Sequence, residues 1–292
     1  MSSDAPPQID LNDQITSTCQ RLFQFPPHEW QSTVIRNLIT AHRLKHKTNM
    51  LVVRPTGGGE SLIYQVAAFI NRGITLFISP LLALASDQMQ KLRDKTAKTP
   101  HMAYLHLDGM KPSTIKIIAD DIWHLTYERP SNRELHRFYD SFCIASFLVG
   151  ARGQPILDAV LHNQTSALHM VVMDEVHIAS QFGNTFRGEL RPLKSKFYSK
   201  LPACCNIINL FMTGTCTKSI LFQVEKLFRF QIPNRHWPTH EETRHRSKYT
   251  PLILNEIKST LSILLKRGTP SAPKKAIIYS NMRQKSRIPQ CW

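Results

Sequence analysis

The sequence lacks the features that mark disulfide-rich, zinc-scaffolded or membrane-spanning proteins. Its six cysteines show no Cys-x-x-Cys spacing, which argues against a structural zinc site or a disulfide framework. No apolar run approaches the roughly 20 residues that a membrane-spanning helix needs. The polar N-terminus does not resemble a signal peptide. We therefore expect an intracellular protein with no membrane partner, whose cysteines act as small buried hydrophobes.

Acidic residues are scarce relative to basic ones. The chain carries 21 Asp and Glu against 37 Lys and Arg, which gives a formal net charge of +16. Such an excess favours polyanionic partners, nucleic acid first and an anionic membrane surface second. The plain alternative is a basic surface without a specific partner, and composition alone does not separate the two.

Short apolar runs alternate with helical patterns over most of the chain. The runs predict strands at 50–53, 74–79, 170–174 and 207–213, with a helix from Leu82 to Leu92 after the Ser79-Pro80 break. Their continuous hydrophobicity is typical of parallel strands that are covered on both faces. The pattern therefore predicts an α/β fold, with a mainly parallel sheet covered by helices.

Shifts in composition predict four segments. Residues 1–18 are polar and are expected to be a disordered N-terminal segment, and residues 19–232 form the α/β domain. Residues 233–250 are polar and His-rich without metal-site spacing, which favours a solvated linker. Residues 251–292 combine an amphipathic helix with a strand at 276–279, which reads as a second domain that begins and is then cut off.

A phosphate-binding loop follows the first predicted strand. Residues 54–61 read Arg-Pro-Thr-Gly-Gly-Gly-Glu-Ser and precede a helical pattern. The glycines Gly57, Gly58 and Gly59 let backbone N–H groups turn toward an anion, and the following helix adds its dipole. Ser61 occupies the position of a magnesium-binding hydroxyl, whereas Glu60 stands where such loops carry lysine.

Glu60 reverses the charge that the loop needs. Opposite unit charges about 4 Å apart attract by roughly 4 kcal/mol at an effective dielectric near 20. A carboxylate in the lysine position converts that attraction into a repulsion of similar order, before relaxation. We therefore predict weak nucleotide binding and almost no hydrolysis by this chain.

A second acidic element lies at the end of another predicted strand. Residues 171–177 read Val-Val-Met-Asp-Glu-Val-His, so Asp174 and Glu175 follow an apolar run. In a parallel sheet this places both carboxylates at the same edge as the phosphate loop. Asp174 can then hold magnesium, and Glu175 can orient and deprotonate an attacking water. The alternative is a strand that ends in two solvated acids.

These motifs resemble those of the RecQ family of superfamily 2 helicases. The tetrad from Asp174 to His177 resembles a DEAH-type box, and its continuation through residues 178–187 resembles the serine-glutamine-aromatic-glycine loop of RecQ proteins. Further blocks occur in the family's order. They resemble the adenine-reading motif, motif Ia, motif III and the opening of motif IV, at residues 25–31, 78–88, 212–215 and 277–280.

The resemblance implies two RecA-like lobes that bind ATP and Mg²⁺ between them and move 3′ to 5′ along single-stranded or forked DNA. It also implies a nuclear protein of DNA recombination and repair, monomeric or of undetermined assembly. Individual residues take roles by the same resemblance. It implies that adenine is read by Gln31, and that the phosphates are bound by Thr56, Gly57, Gly58, Gly59, Glu60 and Ser61. It implies metal binding by Ser61 and Asp174, and catalysis by Asp174, Glu175 and His177. It also implies coupling by Thr213, Gly214 and Thr215, and DNA contact by Ser79, Gln181, Phe182, Phe186 and Arg187.

Two departures from the family pattern leave other functions open. Glu60 replaces the lysine, and only the first strand of the second lobe is present before Trp292. A non-hydrolysing nucleic-acid-binding relic, or an inactive truncated helicase, is therefore the main alternative. An unrelated phosphate-loop ATPase is the third, and the ordered series of motifs disfavours it.

Overall fold

The structure of the chain, a computed structural model, describes residues 10–55, 58–71, 73–80, 82–96, 102–123, 138–162, 168–178, 192–201, 206–228 and 231–237. The chain divides into two compact units, one of Met1–Arg54 with Gly59–His236 and the other of Pro55–Gly58 with Trp237–Trp292. In the second unit, the Gly58 N–H donates to the Pro55 carbonyl at 2.9 Å. The predicted second lobe at 251–292 lies outside the described residues.

The first unit alternates strands and helices. Its strands are β1 Thr48–Val53, β2 Ile74–Ser79, β3 Met102–His106, β4 Phe138–Ile144, β5 Leu168–Met173, β6 Ile208–Thr213 and β7 Asn234–His236. Its helices are α1 Leu11–Phe23, α2 Glu29–Arg43, α3 Ser61–Asn71, α4 Leu82–Thr96, α5 Pro112–Trp123, α6 Ala145–Val149, α7 Gln154–His162 and α8 Lys218–Phe228. The helix and the strands that we predicted within this unit are confirmed, with ends that differ by a few residues.

The described strands form one sheet in the order β3-β4-β2-β5-β6-β1-β7, and every pairing is parallel. Side chains alternate between its faces, so Met50 and Val52 pack with α1 to α4, whereas Leu51 and Val53 pack with α5, α7 and α8. Burial on both faces explains why the central strands read as continuous apolar runs. The predicted α/β sheet is therefore confirmed.

The N-terminal prediction was wrong for residues 11–18. They belong to helix α1, in which Ile15 and Cys19 are fully buried and Leu22 is nearly so. These three side chains are four and three residues apart, which places them on one helix face. Polar residues lie between these three, so the segment has the composition of a disordered terminus. A narrow apolar stripe adds too few apolar residues to change that composition.

The predicted linker also begins too early. Asn234–His236 forms strand β7, which pairs with β1 at the sheet edge. An edge strand needs only backbone pairing on one side, so polar side chains do not prevent it. Ile232, two residues before the strand, is fully buried, and its N–H donates to a Glu225 carboxylate oxygen at 2.8 Å. Residues 238–250 lie outside the described part of the chain.

Within the described residues, no helix combines the length and the apolar character that crossing a membrane requires.

Candidate nucleotide site

Three neighbouring strands end at the site. In the sheet, β6 lies between β1, which leads to the phosphate loop, and β5, which leads to the acidic pair. The Arg54 N–H donates to the Thr213 carbonyl at 3.0 Å, which ties the end of β1 to the end of β6. Because parallel strands share one carboxyl edge, Asp174, Thr213 and the start of α3 come to the same side of the sheet.

The chain turns sharply after β5, and the backbone of the neighbouring strands fixes that turn. The Asp174 N–H donates to the Ile78 carbonyl, and the Val176 N–H donates to the Met212 carbonyl, both at 3.0 Å. Between them, Glu175 has φ of +48°, in the left-handed region that non-glycine residues seldom adopt. Its N–H donates to an Asp174 carboxylate oxygen at 2.9 Å. The two acids therefore have defined orientations.

The pKa of the Asp174 carboxyl is raised to about 7, mainly by burial and also by the charge of Glu175, against the opposing effect of the backbone hydrogen bond from Glu175. A pKa in this range means that the site disfavours the negative charge of Asp174. A bound cation would favour it. The hydroxyl and carboxylate oxygens of Ser61 and Asp174 are the ligand type that Mg²⁺ prefers, so these residues fit the ion that the sequence predicts.

His177 connects the acidic pair to β6. Its Nδ1 lies 2.8 Å from the Thr213 hydroxyl oxygen and 3.1 Å from Glu175 Oε2. The Thr213 hydroxyl donates its own hydrogen to the Thr215 carbonyl at 2.8 Å, so it must accept from the His177 Nδ1–H. This assigns the proton to Nδ1. Glu175 Oε2 is buried and accepts no conventional hydrogen bond from the residues that the structure describes, so it makes an electrostatic contact with that ring nitrogen.

The last glycine of the phosphate loop is held by helix α2. Gly59 has φ of +89°, and its carbonyl accepts a 3.0 Å hydrogen bond from Gln31 Nε2. Gln31 is buried, and its Oε1 accepts the His28 N–H at 2.7 Å. A Cβ on Gly59 would approach Gln31 Nε2 to 2.6 Å. Glycine is therefore required here both for its conformation and for space.

The α3 side of the site contains the other predicted loop residues. Ser61 is the first residue of α3, and its hydroxyl donates to Gln88 Oε1 of α4 at 2.9 Å. Glu60 precedes it and is half-buried. Thr56 and Gly57 lie outside the described residues, and Gly58 belongs to the second compact unit.

The predicted DNA-contact residues are mostly not described. Gln181, Phe182, Phe186 and Arg187 lie outside the described residues. Ser79, at the end of β2, is only 1% exposed. Of the predicted coupling residues, Thr213 is buried, whereas Gly214 and Thr215 follow it on the loop after β6.

Two residues that the sequence analysis did not assign lie near these motifs. The buried Arg54 places its guanidinium 4.2 Å from the ring centroid of Trp30. Gln88 contacts the Ser61 hydroxyl. Gln88 lies inside the segment that resembles motif Ia, but nothing in a single sequence indicates that α4 brings it to α3.

The chain is similar to known helicases. A sequence model of the DEAD/DEAH box helicase family matches residues 28–221. The chain is 29% identical over 181 residues to ATP-dependent DNA helicase Q5 of Mus musculus, and 25% identical over 240 residues to ATP-dependent DNA helicase Q1 of Rattus norvegicus. The RecQ-like DNA helicase BLM of Xenopus laevis is 29% identical over 197 residues.

These alignments cover 62%, 75% and 61% of this chain but only 17%, 34% and 13% of those relatives. Among solved structures, a hypothetical ATP-dependent RNA helicase from Sulfolobus tokodaii matches with a TM-score of 0.51 at 14% identity, over 77% of this chain and 57% of that one. The Pyrococcus furiosus Hef helicase domain matches with a TM-score of 0.50 at 16% identity, over 77% and 40%. The predicted RecA-like fold and the RecQ-like character are confirmed.

Proposed function

Because the chain belongs to the DEAD/DEAH box helicase family, we propose that it contains the nucleotide-binding lobe of a RecQ-like, ATP-dependent 3′–5′ DNA helicase. The observation that carries this proposal is the hydrogen-bonded group of Asp174, Glu175, His177 and Thr213 at the sheet edge where α3 begins. The ligands would be ATP with Mg²⁺, and single-stranded or forked DNA. DNA repair and recombination in the nucleus would be the setting.

The described residues divide the chemistry between them. Ser61 and Asp174 would hold the magnesium ion, which when bound supplies positive charge to the phosphates. Glu175 would orient the attacking water and accept its proton through Oε1, since its contact with His177 is made through Oε2. Gln31 would contact adenine with the hydrogen-bonding capacity that remains after its bonds to His28 and Gly59.

A hydrogen-bonded path supports the coupling role of the loop after β6. Glu175 contacts His177, His177 donates to Thr213, and Thr213 donates to the Thr215 carbonyl. A change at the water-orienting carboxylate would therefore reach residues 214–215 through three short contacts. We propose that this path relates the state of the nucleotide to the DNA side of the lobe.

Glu60 weakens this site. A carboxylate repels the β- and γ-phosphates, and the loop lacks the lysine that stabilises charge during phosphoryl transfer. We propose that the chain binds nucleotide weakly and hydrolyses almost none. The same residue supports the second candidate function, a nucleic-acid-binding protein of helicase fold without ATP turnover.

Nucleotide affinity and DNA-stimulated ATPase activity test the proposal. We would compare the unmodified chain with Glu60→Gln, which removes the charge, and Glu60→Lys, which restores the cation. We expect nucleotide affinity to increase from the unmodified chain to Glu60→Gln and then to Glu60→Lys, with at least about 100-fold between the extremes. The change to Gln removes a repulsion, and the change to Lys adds an attraction, each worth roughly a few kcal/mol at short range. Glu60→Lys combined with Glu175→Gln should bind nucleotide without turnover.

Robust ATP hydrolysis by the unmodified chain would overturn the proposed impairment. DNA binding that weakens steeply with salt, without ATPase activity even in Glu60→Lys, would favour the second candidate.

A further inference from the structure

We infer that Gln88 is a positioning residue for the nucleotide-bound metal, and that it acts by accepting the proton of the Ser61 hydroxyl. The inference rests on the proposed function, since it concerns the ion that Ser61 would hold. The Ser61 hydroxyl donates to Gln88 Oε1 at 2.9 Å, and both side chains are half-buried.

The chemistry of a serine ligand requires such an acceptor. A hydroxyl that binds Mg²⁺ uses an oxygen lone pair and keeps its hydrogen, which then needs a partner away from the ion. When the hydroxyl hydrogen points at Gln88, the oxygen lone pairs of Ser61 point away from Gln88 in fixed directions and can face the ion. Partners of this kind orient metal ligands and typically change metal affinity by about 10- to 100-fold when removed.

The register of α4 explains why Gln88 reaches this position. Ala85, Met89 and Leu92 are buried and form the face of α4 that packs into the core. Gln88 lies three residues after Ala85 and four before Leu92, so it borders that same face. The opposite side of the helix is exposed, where Asp87 pairs with Lys91 at 2.5 Å. Gln88 therefore points along the protein interior toward α3.

The position of α4 gives the contact a consequence. Helix α4 starts at Leu82, shortly after β2 ends at the buried Ser79. A bond from α4 to the first residue of α3 thus links the segment after β2 to the metal ligand. Occupation of the metal site would be sensed by α4 through the side chain of Gln88.

Equilibrium binding of a fluorescent ADP, measured in EDTA and in saturating Mg²⁺, tests the inference without using turnover. The quantity of interest is the dissociation constant in EDTA divided by that in saturating Mg²⁺. This ratio reports how much the metal contributes to ADP affinity. We would measure it in the full chain and in a Glu60→Lys background, where binding is tighter. Gln88→Met should lower the ratio by about 10-fold and leave the affinity in EDTA unchanged, because methionine has similar length but no strong acceptor.

Four further variants make the test specific. Gln88→Glu should keep or raise the ratio, because a carboxylate still accepts the hydroxyl proton. Ser61→Ala should lower the ratio, and adding Gln88→Met to it should cause no further loss, as expected for two residues that act as one unit. Gln90→Met is the matched control, since Gln90 is an exposed glutamine on α4 that hydrogen-bonds Asp94 at 2.8 Å, and its ratio should not change.

An unchanged ratio in Gln88→Met, in a chain that binds ADP more tightly with Mg²⁺, would overturn the inference and leave the proposed function standing. An equal loss in Gln88→Glu and Gln88→Met would also overturn it, because the acceptor would then be irrelevant. Absence of ADP binding in every chain, including Glu60→Lys, would overturn both the inference and the proposed function.

Discussion

The two edges of the sheet bury ionisable side chains in opposite ways. At the carboxyl edge, Asp174 accepts from the Glu175 N–H and His177 bonds Thr213, while the backbone of adjoining strands fixes the turn between them. At the amino edge, His169 is buried at the start of β5, with its Nε2 3.4 Å from the Thr75 hydroxyl and its Nδ1 unpaired within the described part of the chain. At the carboxyl edge, polar groups are oriented so that they can bind a ligand. At the amino edge, a polar side chain is buried without such an arrangement.

The amino-edge histidine is neutral because its surroundings disfavour charge. The pKa of His169 is lowered from 6.5 to about 3, mainly by burial and also by the nearby His42, against the opposing effect of a backbone hydrogen bond. The two rings meet edge to face, with centroids 5.3 Å apart. Burial also lowers the pKa of His42, with an added effect of Arg43. Protonation of either ring would therefore oppose folding.

The largest predicted effect is a loss of folding stability at acidic pH, caused by His169 at the amino edge. Between pH 6.5 and about 3 the unfolded chain takes up a proton at residue 169 that the folded chain does not, so stability falls as pH drops through this window. Each pH unit corresponds to about 1.4 kcal/mol, so the His169 contribution between pH 6.5 and 4 is roughly 3 kcal/mol. Urea unfolding of the unmodified chain and of His169→Gln at several pH values would measure it.

The difference in unfolding free energy between these two chains should shrink as pH falls. His46→Gln, at an exposed position, is the control, and it should follow the unmodified chain. A difference between the unmodified chain and His169→Gln that stays constant from pH 7 to 4 would contradict the neutral, buried state of this histidine.

At the carboxyl edge, Thr213→Val should cost about 2 kcal/mol. Thr213 is buried, and its hydroxyl bonds His177 Nδ1, the Thr215 carbonyl and, at 3.3 Å, the Thr215 N–H. Valine has nearly the same shape but leaves these groups without a partner, at a typical cost of about 1–3 kcal/mol. Denaturant unfolding measures the loss. Thr213→Ser, which retains the hydroxyl, should lose clearly less, and equal losses would show that the methyl group matters rather than the hydrogen bonds.

Sequence reasoning located the carboxyl edge better than the amino edge, for a physical reason. The strands that end in the motifs are apolar and continuous, so their ends are easy to place, and the topology of a parallel sheet brings those ends together. This pattern predicts Asp174 and Glu175, and the resemblance to the helicase box adds His177; the roles of all three in catalysis stay predictions. The contact of Gln88 with Ser61 depends on how α4 packs beside α3, which no local pattern encodes.

Local patterns also failed where few residues carry the packing. Helix α1 buries a narrow stripe that includes Ile15 and Leu22, and strand β7 contributes backbone hydrogen bonds but polar side chains. Strands β3 and β4, at 102–106 and 138–144, were not predicted either. The His42–His169 contact joins α2 to β5, residues far apart in the chain, so the sequence could not predict it.

A smaller effect is expected for Gly59→Ala at the carboxyl edge. The φ of +89° disfavours a residue with a Cβ by about 1–2 kcal/mol, and the added methyl would press on Gln31 Nε2. Because Gln31 bonds the Gly59 carbonyl, the loop should shift and nucleotide affinity should fall along with stability. Thermal unfolding and binding of fluorescent ADP would be measured together. Full stability with unaltered affinity would contradict the described loop conformation.

The smallest effect should come from Thr75→Val at the amino edge, which makes the same chemical change as Thr213→Val. The Thr75 hydroxyl meets His169 Nε2 at 3.4 Å, a long contact at the limit of a hydrogen bond, and its neighbours on β2 pack into the core. We expect a loss below about 1 kcal/mol, since little hydrogen-bond energy is removed and an apolar methyl suits the site. Denaturant unfolding at pH 7 measures it. If Thr75→Val and Thr213→Val lower the unfolding free energy equally, the single long contact of Thr75 matters as much as the three shorter bonds of Thr213. The two edges would then not differ in how they hold polar groups.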